Sequence, residues 1–431
     1  MGASESAPTT GADEAVEDGA PDERSATTSR PGPLDGVLVV DLSRYLPGPL
    51  VGRLLADLGA RVLKVEEPKL GDPSRQAPPQ VGGVSALSAL LLSGHQSVAL
   101  DLKKDAARDL LEDLLMSADV LVESLRPGGL ASLGLAPETL RRLYPRLVVC
   151  SITGFGQDGP HAARAGHDLT YQALAGSLAG GTGMPAIQTA DIVGAWSAAT
   201  AVCAALFRRE TSGEGCWIDQ SLLDAAGHAA VTAWAAEADG PKAVGEPLML
   251  TGALPCYDLY RTKDDKTVAL AALEPKFWQR FCGALGEREL IVRQFSSEPS
   301  VRRRVADLIA GKTRDEWQAF FAEHDIPGEP VLSAAEAIEH PQVQARGMLR
   351  RADDGLPRLG YPAKVDGHRP RGGDAFPGLG EHTGDVLREH GLGTSMTAFD
   401  RRRGGVGRRF SWRRLATRVA TAVVTRRKKD D

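Results

Sequence analysis

The sequence predicts an α/β protein: an open, mostly parallel, Rossmann-like sheet in a large split domain, with a smaller α+β domain after it. Three observations carry this. Short, continuous apolar runs of strand length recur from Val37 to Ile152, each followed by a stretch of helical periodicity. Such runs suit strands buried on both faces, and the alternation suits a parallel sheet wrapped by helices. From about residue 245 the pattern changes to a hairpin followed by helices, and from 331 to 395 the chain is rich in Pro and Gly.

The elements follow in order. Residues 1–30 are Ala/Ser/Thr/Glu-rich without apolar periodicity, and Pro31-Gly32-Pro33 closes them off, so a disordered leader is expected there. Val37 to Leu42 reads as a strand, Pro47 to Gly59 as a helix with Pro near its start and Gly at its end, and Arg61 to Glu66 as a second strand. Together they make a βαβ unit. Ser97–Leu102, Val120–Glu123 and Leu147–Ile152 continue the strands, with helices at Ala106–Ser117 and Pro137–Tyr144. An Ala-rich helix is expected from Ala195 to Glu210, a strand from Cys216 to Gln220 and one further helix from Leu222 to Ala236. Tyr257–Arg261 and Thr267–Ala272 form the expected hairpin across Asp264-Asp265-Lys266, with a helix over Pro275–Leu285. The predicted organisation is a large domain at 31–244, a small one at 245–330, a return segment at 331–395 packing on the large domain, and a basic tail at 396–431.

Composition narrows the class. The chain has 431 residues, of which 42% are hydrophobic and 25% charged, the balance of a soluble protein with room for more than one core. No run approaches the ~18 apolar residues of a membrane span, and no basic-then-apolar signal pattern opens the chain, so a cytoplasmic protein is expected. Five well-separated cysteines without a C-x-x-C pair argue against a disulfide framework or a zinc cluster; they are expected to be reduced and structural. The net charge of −5 hides an asymmetry: residues 1–30 hold seven acids against two arginines, and 400–431 hold twelve Lys/Arg against three Asp. In the tail, Trp412, Leu415, Val419 and Val423 share one helical face among arginines. That pattern fits weak contact with a membrane surface or an acidic partner, and equally a solvated tail. No aromatic platform accompanies the charge, so no nucleic-acid partner is expected.

The motif search removes several enzyme classes. After the first strand stands Ser43-Arg44-Tyr45-Leu46-Pro47-Gly48-Pro49 in place of a G-x-G-x-x-G turn. No Walker A, H-E-x-x-H or G-x-S-x-G follows anywhere in the chain. The informative loop runs from Gly154 to Pro160 and on to Gly166-His167-Asp168-Leu169-Thr170-Tyr171. It follows a strand, so it lies at the carboxyl edge where open α/β sheets bind ligands. His167 supplies a base that titrates near neutral pH, with a carboxylate beside it in sequence. Asp191 lies where the chain passes into the long helix, and Glu274 ends a strand just before Pro275. Taken singly, each has a plain alternative: a buried hydrogen-bonded histidine for His167, and helix caps for Asp191 and Glu274.

Taken together, these residues resemble the family III CoA-transferases (the CaiB/BaiF superfamily) and, within it, the α-methylacyl-CoA racemases. The resemblance covers roughly residues 34–390. It rests also on Asp41-Leu42-Ser43-Arg44, Leu54 to Ala60, Val62-Leu63-Lys64-Val65-Glu66, Gly71-Asp72-Pro73-Ser74-Arg75 and Arg126-Pro127-Gly128. Gly166-His167-Asp168 with Tyr171, Leu254-Pro255-Cys256-Tyr257 and Leu273 to Trp278 look like the racemases. Ser221 to Ala225, and the short glycine content after Asp191, look like the transferases.

The racemase resemblance implies two acid/base groups on either side of C2 of a 2-methylacyl-CoA. These would be His167, with Glu274 orienting it, and Asp191, with backbone N–H groups stabilising the enolate oxygen. The transferase resemblance implies Asp191 as nucleophile, passing through a mixed anhydride to an aspartyl-CoA thioester. A non-catalytic acyl-CoA-binding protein is the third alternative. The family implies an interlocked homodimer and no metal or redox cofactor, with CoA entering as the carrier of the substrate. Lys64, Arg75 and Arg126 are the expected CoA contacts. Ser93-Gly94-His95-Gln96 stands where the family commonly has a basic stretch. Because the body between the charged ends is net acidic, polyanionic CoA must be held by a few placed cations.

Overall fold

The first apolar run forms β1 (Leu38–Asp41), and α1 (Pro47–Asp57) carries the chain to β2 (Arg61–Glu66). The structure is a computed structural model that describes residues 32–391 apart from 182 and 371. The expected leader and the basic tail at 396–431 lie outside the described residues. A short hairpin, β3 (Gln80–Val81) and β4 (Val84–Ser85), and α2 (Ala86–Leu92) lead to β5 (Gln96–Ala99). The alternation continues through α3 (Asp105–Leu115), β6 (Val120–Glu123), α4 (Gly129–Ser132), α5 (Pro137–Leu143) and β7 (Val148–Thr153). It closes with α6 (Asp168–Leu174), α7 (Thr189–Ser212), β8 (Trp217–Ser221), α8 (Leu222–Ala229) and α9 (Val231–Ala236).

The sheet has six strands in the order β5-β2-β1-β6-β7-β8, and every pairing is parallel. The chain moves outward from β1 to β2 and β5, then returns to the other side of β1 as β6. Strand order therefore reverses between β1 and β6, and the crevice at their carboxyl ends is where such sheets bind ligands. Side chains alternate across the sheet. Val39, Val62, Val120 and Val148 pack beneath α1 and α7, whereas Val40, Leu63, Leu121 and Val149 pack against Leu111, Leu114 and Leu140 on the other face. Towards the carboxyl ends the strands turn polar. Asp41, Lys64 and Ser97 stand in one cross-strand row, and Glu123, Ser151 and Asp219 in another.

Two helices depart from expectation. α7 starts six residues before the apolar periodicity becomes visible at Ala195, so Asp191 lies inside its first turn rather than ahead of it. The expected helix from Leu222 to Ala236 is broken at Ala230, whose N–H bonds back to the carbonyls of both Ala226 and Gly227 as a terminating turn. α7 is also long and apolar enough by composition to cross a membrane, with a mean hydropathy of 1.6. Ala190, Gly194, Ala195, Ala198 and Val202 are nevertheless buried within the helix–sheet core, where their small size lets α1 and α8 approach closely.

The second core belongs to β9 (Tyr257–Arg261), β10 (Thr267–Ala271), α10 (Pro275–Ala284), α11 (Pro299–Ile309), α12 (Arg314–Glu323) and β11 (Gly328–Pro330). Its three strands are antiparallel in the order β11-β10-β9. Trp278 and Trp317 fill its centre beside Phe281 and Phe321. Their indole N–H groups donate to the Leu290 and Ile309 carbonyls at 2.8 and 2.7 Å, so the large rings are buried with no polar group left unpaired.

The chain then returns through α13 (Ala334–Glu339), α14 (Pro341–Arg346), the hairpin β12 (Leu349–Arg351) and β13 (Pro357–Leu359), and α15 (Thr383–Glu389). Arg53 donates to the Leu359 carbonyl at 2.8 Å, Gly94 N–H to Ala375 at 3.0 Å, and Gly380 N–H to the Ser97 hydroxyl at 2.8 Å. Gly94 has φ +83°, and a Cβ there would meet the Gly372 carbonyl oxygen at 2.1 Å. The returning backbone thus crosses the Ser93–Gln96 segment at a distance that only glycine permits.

Candidate active site

Three polar groups occupy the carboxyl edge, and they differ in how their charges are met. The first is a buried ion network at β1, β2 and β5. The Lys64 ammonium lies 3.2 Å from Asp41 and 3.5 Å from Asp72, and it also donates to the Ser43 carbonyl. The Lys64 side chain is 1% exposed. Asp41 accepts in addition from the backbone N–H (2.7 Å) and hydroxyl of Ser43, which pins the loop leaving β1. Beside it, Arg75 grips Glu66 through two bonds of 2.7 Å, and the Ser97 hydroxyl donates to the same carboxylate at 2.6 Å. Burial alone would raise the Glu66 carboxyl. The Arg75 guanidinium and the Ser97 hydroxyl overcome it and hold Glu66 below its ordinary range. His95 is enclosed here too, and burial pushes its imidazole down to about 4, so it is neutral. Lys64 and Arg75, expected among the CoA contacts, both face internal carboxylates.

The second group is the crevice between β1 and β6. Arg44, exposed, follows β1, and its backbone N–H donates to the Ser124 hydroxyl at 2.9 Å, tying the two rim loops together. Tyr45 is 58% exposed and held at φ +67°, a left-handed conformation that a tyrosine adopts only when its surroundings impose it. Arg126 follows β6 and is exposed, and among the described residues no carboxylate pairs with it. The crevice therefore presents two solvent-facing guanidinium groups. Arg44 stood in the sequence motif without an assigned role, because only the strand order shows that its loop and that of Arg126 are neighbours.

The third group lies where β7 gives way to α6 and α7. His167 precedes α6 and is exposed; its backbone N–H donates to the Thr170 hydroxyl at 3.0 Å, which opens the helix. Asp168, the first residue of α6, is buried. One of its carboxylate oxygens accepts the Gln172 amide at 2.6 Å, and the other accepts the backbone N–H of Asp191 at 3.1 Å. A single carboxylate thus joins the starts of α6 and α7 across 23 residues of sequence. Burial, and then the Asp168 charge, push the Asp191 carboxyl up to about 7.

Tyr171 stands alongside these carboxylates. Burial and the charges of Asp191 and Asp168 push its phenol up to about 12. Its ring meets Phe155 edge-on at 5.1 Å and lies so close to Gly154 and Gly166 that a Cβ at either would fall within 2.4 to 2.5 Å of it. The two glycines flanking the loop are therefore the slot for this ring.

The structure thus brings His167 and Asp191 into one neighbourhood through Asp168. Glu274 occupies the position just before α10 without a capping bond from its side chain and is exposed, and no hydrogen bond joins it to His167 among the described residues. Asp168 is the residue that sequence reasoning left without a role; the G-H-D-x-x-Y motif contained it, but its bond to Asp191 is invisible without the fold.

Residues 34–383, which span the six-stranded sheet, the Gly-His-Asp turn and the start of α7, match the family model of CoA-transferase family III. The chain belongs to that family. A solved structure described as a CAIB/BAIF family protein from Brucella suis covers 84% of this chain and 100% of its own. It is 29% identical with a TM-score of 0.74. The α-methylacyl-CoA racemase of Mus musculus is 34% identical over 372 residues, 83% of this chain and 93% of that protein. The succinate–glutarate CoA-transferase of Agrobacterium fabrum is 35% identical over 400 residues, 84% of this chain and 96% of that protein. Relatives named for two different reactions are about equally similar to this chain, so the chemistry has to be argued from the site.

Proposed function

We propose that this family III chain is a racemase that moves a proton between the two faces of C2 in a 2-methylacyl-CoA thioester. The observation that carries the reading is the Asp191 carboxyl, pushed up to about 7 at the edge of the His167-Asp168 turn. A group that gives and takes protons works best when its affinity lies near the working pH. A carboxylate that only attacks a thioester has no such need, since it must be ionised. One base removes the C2 proton to leave an enolate; the conjugate acid of the other delivers a proton to the opposite face, and no atoms are gained or lost. Asp191 is one of these groups and His167 the other. At the start of α7 the Thr189 and Asp191 N–H groups already donate to the Ile187 carbonyl and to Asp168, so what this turn offers the enolate oxygen is the positive end of the helix dipole.

Arg44 and Arg126, both exposed at the β1/β6 crevice, are the cations available for the CoA phosphates. Glu274, exposed and not bonded to His167 within one chain, would orient His167 only if a second copy of the chain brought it there, which is the role the proposed homodimer has in this reading. Leu174, Ile187, Val231 and Trp234, each more than half exposed around α6 and α9, support a second copy at this face.

CoA transfer through an aspartyl-CoA at Asp191 is the second reading. It is favoured by the Agrobacterium fabrum transferase being as similar to this chain as the Mus musculus racemase. Incubation with a 2-methylacyl-CoA in deuterated water, with and without an acceptor acid, separates the two. Deuterium at C2 without an acceptor is the result expected; a new CoA ester that needs the acceptor and comes with no exchange at C2 would overturn it.

A further inference from the structure

Asp168 is a buried carboxylate that the reaction as described does not use. It lies 8% exposed between two helix starts, and both its oxygens accept hydrogen bonds from fixed N–H donors. Neither donor is a cation, so its charge is oriented but not neutralised. We infer that Asp168 is the positioning residue for Asp191: it receives the Asp191 backbone N–H and sets a fixed negative charge beside the Asp191 side chain, which favours the protonated form of that carboxyl. This rests on the racemase reading for its purpose, though not for its geometry.

The competing effects have clear signs. Asp191 lies in the first turn of a 24-residue helix, where the positive end of the dipole favours the charged carboxylate. Burial and the neighbouring carboxylate act the other way, and their sum prevails, leaving Asp191 well above its ordinary 3.8. Among the described residues Asp168 is the charged group that acts on Asp191, and Tyr171 is the other titratable group coupled to it. α1, α8, β7 and β8 also pack on α7 and bring no charge that moves it. Removing the Asp168 charge should therefore let Asp191 ionise at lower pH.

Asp168→Asn is the informative change because the local bonding can survive it. The remaining carbonyl oxygen still accepts the Asp191 N–H, and the Gln172 amide can turn over to accept from the new NH₂. The charge leaves while both bonds of residue 168 can be kept, at the expense of the long 3.4 Å bond from the Gln172 amide to the Ile187 carbonyl.

Carbodiimide coupling consumes protonated carboxyls. Labelling of the peptide carrying Asp191, followed by mass spectrometry across a pH series, therefore reads its titration midpoint without requiring turnover. The midpoint should fall by about one pH unit in Asp168→Asn, with the acid limb of the C2-exchange profile moving with it. Asp168→Ser, which also removes the charge and keeps an acceptor, serves if the asparagine variant does not fold. Gln172→Met, which leaves the charge, should keep the midpoint within a few tenths of a unit. An unchanged midpoint in a folded Asp168→Asn or Asp168→Ser protein overturns the inference. So does a Gln172→Met midpoint that falls as far as theirs, because the effect would then be one of packing. If the wild-type protein exchanges no C2 proton yet the midpoint still falls, the racemase reading fails and the role of Asp168 stands.

Discussion

Two clusters of buried carboxylates lie under the same α1/α7 face of the sheet, and their charges are met in opposite ways. Around Lys64 and Arg75, every carboxylate has a cation: Asp41 and Asp72 share the ammonium, and Glu66 holds the guanidinium in a two-bond clamp. At the α6/α7 junction, Asp168 is met by an amide and a backbone N–H, and Asp191 by a neighbouring negative charge. Paired charges in a low-dielectric interior hold loops in place. Like charges held together store a proton close to neutral pH. The first region is built as an anchor, and the second has the charge arrangement that the proposed proton transfer needs.

The contrast can be broken most forcefully at Lys64. Lys64→Met leaves Asp41 and Asp72 buried without their cation, and urea denaturation should show a loss of about 3 to 5 kcal/mol. A loss below about 1 kcal/mol would mean that the network is solvated and not an anchor.

At the α6/α7 junction the sign reverses. Asp191 has a raised proton affinity in the folded chain, so the folded state binds the extra proton between about pH 4 and 7 and loses stability as pH rises through that window. Asp191→Asn removes this penalty. It should stabilise the protein by about 2 kcal/mol at pH 8, a figure reduced for the part of the side chain that meets solvent, and by nothing at pH 4. Melting temperatures at the two pH values check it.

Glu66 offers the mirror image. Its carboxyl is held below its ordinary 4.5, so its contribution is present above that pH and is lost as pH falls through the lower folded value. Glu66→Gln should cost about 2 kcal/mol at pH 7, and the gap to wild type should narrow under acid conditions. Smallest in stability is Arg126→Ala: on an exposed loop it should change folding by no more than about 0.5 kcal/mol. It should nevertheless raise KM for an acyl-CoA about tenfold if the crevice cation meets a phosphate.

Much of the fold was legible because its causes are local. Apolar runs such as Val120–Glu123 and the Pro-start, Gly-end pattern of α1 specify strands and a helix from neighbouring residues alone. The start of α7 was not legible. Thr189 to Gly194 carries little helical preference of its own, and the turn is held by Asp168, 23 positions away from Asp191. For the site, His167 and Asp191 were visible as types that suit proton transfer, and the structure sets them on adjacent helix starts. The destinations of Lys64 and Arg75 were hidden, since an ion pair across strands depends on register and on where the 67–77 loop folds. The closeness of Arg44 to Arg126 depends likewise on strand order.

The central claim is that two different groups serve the two faces of C2. Its most direct test follows each enantiomer of a 2-methylacyl-CoA separately in deuterated water with His167→Ala and Asp191→Asn. Both variants should lose interconversion of the enantiomers, while each keeps C2 exchange on the one enantiomer served by its surviving base, and these should be opposite enantiomers. Full interconversion in either variant, or exchange lost from the same enantiomer in both, would contradict the account.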